Sequence, residues 1–126
     1  ENIIVPLELR GELNSFSKAQ GLIDNVGLGE RANHYPIQLS GGEQQRVTIA
    51  RSLINNPRII LADEPTGNLD SKNGRETMKT FDNLVKEGKT IVLITHDLEV
   101  AKHAGRIVSI RDGQIASDHE EKTFSL

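Results

Sequence analysis

Leu39-Ser40-Gly41-Gly42-Glu43-Gln44-Gln45-Arg46 packs a capping serine, two adjacent glycines and a charged helix start into one short stretch. Ser40 is placed to cap a first turn, and Glu43 three positions later completes an S-x-x-E capping box. Gly41 and Gly42 remove side chains that would hold a ligand away from the backbone N–H groups. Those N–H groups, with the positive end of the helix dipole, favour an anion such as a phosphate. Taken alone, S-x-x-E marks an ordinary capped helix, so the reading depends on what flanks it.

Upstream, Asn2–Leu9 is apolar and interrupted by Pro6, a short helix or a bent extended piece. Gly11–Ser17 reads as a loop with capping residues. From Lys18, Ala19, Leu22, Ile23 and Val26 recur at helical spacing, and Gly27 is placed to end that helix. Gly29–Gln38 is a polar loop leading into the motif. Downstream, Val47, Ala50 and Ile54 share one helical face with Ile49 and Leu53 beside it, until Asn55-Asn56-Pro57 stops the helix.

The period then changes. Arg58–Ala62 is a continuous aliphatic run, of the kind found in strands buried on both faces of a parallel sheet. It ends in Asp63-Glu64 and the turn Pro65-Thr66-Gly67. Asp70 is placed to cap a helix with Met78, Phe81, Leu84 and Val85 inside, ended near Gly88. Thr90–Ile94 reads as another buried strand, closed by Thr95-His96-Asp97, and a short helix runs through Val100 and Ala101. Arg106–Ile110 is a third strand. Asp112-Gly113 is a two-residue hairpin signal, with Ile115 and Ala116 on the return strand. The residues from Asp118 read as a polar, mobile tail.

Composition narrows the function classes. At 126 residues the chain is sized for one domain; apolar residues make up 36%, charged residues 26% and aromatics 3%. A net charge of −3 offers no electrostatic drive toward nucleic acid, and zero cysteines exclude disulfides and thiolate metal sites. The longest apolar runs are too short to cross a bilayer, and the N-terminus lacks the basic run and apolar core of a signal peptide. The chain opens at Glu1 and its one methionine is Met78, which reads as a fragment.

Ligands in open α/β sheets collect beyond the carboxyl ends of the strands, where Asp63, Glu64 and His96 fall. Of two consecutive carboxylates there, the first suits a magnesium ion held through water. The second can face an attacking water and take its proton. An imidazole on the neighbouring strand can hydrogen-bond a phosphoryl oxygen or hold that water in line. Asp70 could brace this region, contact a second subunit, or serve simply as an N-cap. Singly, each feature is ordinary turn and cap chemistry; their joint order is not. The four histidines show no HxH or HExxH spacing and there is no G-x-S-x-G, so neither a transition-metal site nor a serine hydrolase is supported.

That joint order resembles the ATP-binding-cassette (ABC) ATPases. Leu39–Arg46 is similar to their signature motif, Ile59–Pro65 to the Walker B strand, Asn68-Leu69-Asp70 to the D-loop and Thr95-His96 to the switch histidine. The longer string Leu61–Ser71 resembles the branch serving lipoprotein release and macrolide export, which works with FtsX-like membrane permeases. The resemblance covers nearly the whole chain and implies an α/β, P-loop NTPase-like fold. A helical, signature-bearing region over about residues 1–56 would precede a mainly parallel sheet with flanking helices, the second half of the ATPase core, over about 57–118, with 119–126 as tail. It further implies Glu64 as general base, Asp63 as the carboxylate holding Mg2+, and His96 as the sensor of the γ-phosphate. Ser40, Gly41, Gly42 and Gln44 would contact ATP held by the opposite subunit of a head-to-tail dimer, and Asp70 would contact the dimer partner. The implied location is cytoplasmic, peripheral on the inner face of the membrane.

No G-x-x-x-x-G-K-[ST] loop occurs in these residues. Gly88-Lys89-Thr90 precedes a strand rather than opening a helix, and Asn83 stands where the loop's first glycine would be. The adenine-stacking aromatic and Q-loop glutamine of the family would also lie before Glu1. The expectation is a carboxyl-terminal part of a cassette, which alone neither binds ATP tightly nor hydrolyses it. Two other readings compete with an exporter subunit. One is a non-catalytic truncated partner that lends its signature helix to a complete cassette. The other is a DNA-repair or chromosome-structural ATPase, disfavoured by the absence of sustained heptads and by the negative charge.

Overall fold

The computed structural model describes residues 2–12 and 14–120. Its first part is helical. Helix α1 (Val5–Glu8) carries Pro6 in its first turn, where a missing N–H costs nothing, and buries Leu7. Helix α2 (Ser15–Asn25) begins earlier than the apolar periodicity indicates. Its N-cap, Asn14, makes no side-chain cap bond, so the cap chemistry that would mark the boundary in the sequence is missing. The helix ends as expected at Gly27, whose φ of 70° is costless only for glycine. Gly27 N–H reaches the Asp24 carbonyl at 3.0 Å and Leu28 N–H the Ile23 carbonyl at 2.9 Å, a Schellman closure.

Helix α3 (Gly41–Leu53) is the wall between two cores. Ala50 and Ile54, with Val47 against them, pack with Ile3, Ile4, Leu7, Ala19, Val26 and Leu28. Ile49 and Leu53, one step around the helix, pack with Ile60, Ala62, Met78, Phe81, Leu84 and Val100. The two groupings read from the α3 sequence therefore serve two separate cores.

Strands β1 (Ile59–Asp63) and β2 (Thr90–Ile94) pair in parallel, from Ile59 opposite Thr90 to Asp63 opposite Ile94. Between them runs α4 (Ser71–Lys86), closed like α2: Gly88 N–H reaches Val85 and Lys89 N–H reaches Leu84. The Lys89 ammonium clips back onto the Asn56 side chain and the Pro57 carbonyl, fixing the turn before β1. Burial on both faces is not observed. Ile60 and Ala62 point into the core, whereas Ile59 is 59% and Leu61 74% exposed, with Val92 and Ile94 also turned outward. The aliphatic run makes both faces apolar, but the described residues supply a covering layer for only one. Val85, expected inside α4, is exposed as well.

After the short α5 (Leu98–Ala101), β3 (Arg106–Arg111) and β4 (Gln114–Glu120) form an antiparallel hairpin. The α/β class stands, with the described strands divided between one parallel pair and this separate hairpin. Asp112 and Gly113 both take positive φ, 50° and 75°, which suits the tight turn to the strand twist. The expected tail is corrected at its start: Asp118, His119 and Glu120 pair with Val108, Ile107 and Arg106. Arg106 grips Asp118 bidentately at 2.9 and 2.7 Å, and its guanidinium holds the Asp118 carboxyl below the usual value. The remainder of that tail, residues 121–126, lies outside the described residues.

Candidate active site

Glu64 lies one residue past β1 and is the centre of the most connected polar group near the strand ends. Its φ is 44°, a conformation a non-glycine residue adopts only under constraint. Five hydrogen bonds supply that constraint, two on its backbone and three on its carboxylate. Glu64 N–H donates to the Ile94 carbonyl at 2.9 Å, extending the parallel ladder, and its own carbonyl accepts from Gly67 N–H at 3.1 Å. The carboxylate then turns toward the end of β2. Its Oε1 lies 2.7 Å from His96 Nδ1 and accepts the His96 backbone N–H at 3.0 Å. Its Oε2 accepts the Thr95 hydroxyl at 3.3 Å, and Thr95 Oγ1 in turn accepts Asp97 N–H at 3.1 Å.

The electrostatics follow the geometry. The hydrogen bond to the His96 ring holds the Glu64 carboxyl below its ordinary value, with the backbone N–H and Thr95 adding to it and partial desolvation opposing. The same bond raises His96. Each charge favours the other. The ring remains 87% exposed, so it is free to meet a ligand from solution. Asp63, at the last position of β1, is exposed, and its carboxylate has no hydrogen-bond partner among the described residues. No group of three acidic or histidine side chains that could cage a metal occurs among those residues. An exposed single carboxylate nonetheless fits Mg2+, which binds through one or two carboxylates plus waters and substrate phosphates.

The glycine-rich helix start has the anticipated cap. Glu43 N–H donates to Ser40 Oγ at 3.3 Å, and Ser40 N–H donates to Glu43 Oε2 at 2.8 Å. That backbone bond from Ser40 holds the Glu43 carboxyl below its ordinary value. The Ser40 hydroxyl also bonds the Glu43 carboxylate, which adds to that lowering. The N–H groups of Gly41 and Gly42 have no acceptor among the described residues. Gln44 turns back instead, its amide nitrogen donating to the Pro36 and Leu39 carbonyls at 3.0 and 3.1 Å. In this arrangement Gln44 fastens the preceding loop to the helix.

Asp70 is the N-cap of α4. Its Oδ1 accepts the N–H groups of Lys72 and Asn73, each at 2.9 Å, and its Oδ2 accepts Asn73 Nδ2 at 2.7 Å. Chiefly through the Asn73 backbone bond, its carboxyl is held below the usual range. The fold thus joins Glu64 to His96 and seats the Gly41-Gly42 turn beside the Asp70 turn. No hydrogen bond or ion pair connects Ser40–Gln44 with Glu64 or His96 among the described residues. Sequence reasoning gave no role to Thr95, Asn73 or the Arg46–Glu76 ion pair, at 2.9 Å, that ties α3 to α4. Asn73 alone had a local signal, standing three residues after a capping aspartate.

Comparison with known proteins gives concordant results. Residues 2–67 match the family model described as ABC transporter. An uncharacterised ABC transporter ATP-binding protein of Methanocaldococcus jannaschii is 52% identical over 117 residues, covering 91% of this chain and 52% of the relative. The macrolide export ATP-binding/permease protein MacB of Bartonella quintana is 55% identical over 105 residues, covering 83% of this chain but 16% of MacB. The chain therefore spans about half the length of the first relative and a far smaller share of the second. Among solved structures, the dimeric bacterial ABC transporter cassette MJ0796 superposes with a TM-score of 0.82 at 45% identity, over 98% of this chain and 56% of that one. A post-hydrolysis form of the same cassette, bound to ADP and Pi, gives 0.74 at 46% identity, over 88% of this chain and 49% of that one.

Proposed function

The chain belongs to the ABC transporter family, and on that footing we propose that it is part of the ATP-hydrolysing subunit of an exporter. The observation carrying this reading is the Glu64 carboxylate, anchored on one side by Thr95 and His96 at a strand end that also bears the open carboxylate of Asp63. In the proposed reaction a water oxygen attacks the γ-phosphorus of ATP and the bond to the bridging oxygen breaks. Phosphate and ADP leave, and the water's proton passes to Glu64. A positioned base of this kind contributes about 10²- to 10⁴-fold. His96 bridges the Glu64 carboxylate and the γ-phosphate oxygens, holding base and substrate in one frame. Asp63 would hold Mg2+ through water; when bound, the ion neutralises charge developing on the β- and γ-phosphate oxygens.

The N–H groups of Gly41 and Gly42 supply donors suited to a γ-phosphate presented by a second cassette, with the Ser40 hydroxyl beside them and Gln44 supporting them from behind. Asp70 would meet the same partner. The solved relative is described as a dimer, which supports this arrangement. The MacB relatives are named ATP-binding/permease proteins, which supports coupling to a membrane permease; we assign that permease to the FtsX-like type, serving lipoprotein release or macrolide and peptide export. No helix among the described residues is long and apolar enough to cross a membrane. The proposed location is the cytoplasmic face of the membrane, held there by the permease. We assign the helical, signature-bearing part to about residues 1–56 and the core part to about 57–118.

The test uses the intact polypeptide that carries these residues. Glu64→Gln should lower steady-state phosphate release at least about 100-fold. Activity above a tenth of the unsubstituted protein's would remove Glu64 as the base. These 126 residues contain no phosphate-cradling loop. Expressed alone, they are expected to show no multiple turnover of ATP.

A further inference from the structure

Gly41 and Gly42 differ in what surrounds them. A Cβ on Gly41 would come no closer than 3.7 Å to anything, the nearest atom being Leu69 Cδ2. A Cβ on Gly42 would lie 2.2 Å from Asn73 Oδ1, 2.5 Å from its Cγ and 2.8 Å from its Cβ. The space that a side chain at 42 would need is filled by Asn73. Nor is Asn73 free to leave, because its Nδ2 is bonded to Asp70 Oδ2 at 2.7 Å and its backbone N–H to Asp70 Oδ1. Four residues along α3 and three along α4, Arg46 and Glu76 form a second tie, with the Arg46 side chain only 14% exposed. The two ties step along both helices in the same direction. Helices α3 and α4 therefore lie side by side with their N-termini together, and Asn73 sits between the two starts.

We infer that Asn73 is a positioning residue that sets the first turn of α3 against Asp70, and that position 42 is glycine to seat Asn73 rather than to admit a ligand. The inference rests on the reading above, in which both helix starts face the second cassette. Like-oriented N-termini bring two partial positive charges together, and the Asp70 carboxylate at the start of α4 offsets part of that cost. Asn73 transmits the arrangement in two ways: its amide nitrogen bonds Asp70, and its side chain fills the space where a Cβ on Gly42 would stand. Displacing it uncouples the donor cluster at Ser40–Gly42 from the Asp70 turn.

A double-mutant cycle in the intact polypeptide tests this. The background is Glu64→Gln, in which bound ATP persists, and the readouts are the ATP midpoint for dimerisation and the melting temperature without nucleotide. Gly42→Ala should raise the ATP midpoint on the order of tenfold and lower the melting temperature. Asn73→Ala alone should raise the midpoint only about threefold, and adding it to Gly42→Ala should bring both the midpoint and the melting temperature back to those of Asn73→Ala alone. A purely structural role for Asn73 would reduce the dimer yield without moving the midpoint, and that result overturns the proposal. So does a double mutant whose midpoint stays as high as that of Gly42→Ala, since the glycine would then serve ligand approach. Failure of the background protein to dimerise with ATP at all would sink the functional reading instead. In that case the melting temperatures still decide whether Gly42 and Asn73 are coupled: additive shifts refute the seating, and relief by the second substitution retains it.

Discussion

At the start of α3, Ser40 and Glu43 satisfy each other within a single turn, whereas at the end of β1 Glu64 is held by Thr95 and His96, 31 and 32 positions further along the chain. The first device is complete once one turn of helix exists. The second requires β1 and β2 to be paired in register, and that pairing depends on α4 covering one face of both strands. The Ser40–Glu43 box can therefore survive a loosened core, while the base-and-histidine pair cannot. Four substitutions or conditions test that distinction, in order of decreasing effect.

The largest effect comes from removing the layer beneath the strands. Phe81→Ala should cost about 3–5 kcal/mol in urea unfolding of the intact protein. Protection of the β1 and β2 amides from hydrogen exchange should fall before that of the first turn of α3. Equal loss in both places would erase the distinction.

Thr95→Val keeps the shape and removes the hydroxyl that bonds Glu64 Oε2 and accepts Asp97 N–H. Turnover should fall on the order of tenfold with little change in unfolding midpoint, and Thr95→Ser should restore most of it. A loss of stability in place of rate would show that Thr95 supports the strand end and not the carboxylate.

Ser40→Ala opens the local box and should cost about 1 kcal/mol, read as faster exchange confined to the first turn of α3. Spread of that change to β1 would contradict the self-contained character of the cap.

The smallest effect lies at an intermediate separation, in the hairpin, where Arg106 and Asp118 are 12 positions apart. The folded Asp118 carboxyl is held below its ordinary value of 3.8, so its contribution is present above that pH and is lost as pH falls through the lowered value. Amide protection in β3 and β4 should decline only in acid below about 3.8, and Asp118→Asn should abolish that dependence.

The same gradient of separation governs what could be read in advance. The Ser40–Glu43 box, the Gly27 and Gly88 helix ends, the Asp70 cap and the Asp112-Gly113 turn all depend on residues within a few positions of one another. Each was legible as a pattern. The start of helix α2 carries no such pattern, because Asn14 caps nothing with its side chain. The strands were expected to be buried on both faces because a run such as Ile59-Ile60-Leu61-Ala62 states what both faces could bury, and says nothing of what is present to cover them. Val85 is exposed for a related reason: helical spacing puts it on the inner stripe without telling where the covering layer stops.

The sequence by itself determined the main helices and strands, their order, the family resemblance and the residue types at the strand ends, because these follow from period, cap chemistry and motif spacing. Only the tertiary structure decided that Glu64 takes a left-handed turn toward His96, that Gln44 is fastened to its own loop, and that Asn73 fills the space above Gly42. The reason is physical. A cap is written in neighbouring residues, but a contact across 31 positions exists only after packing has brought two helices or two strands side by side.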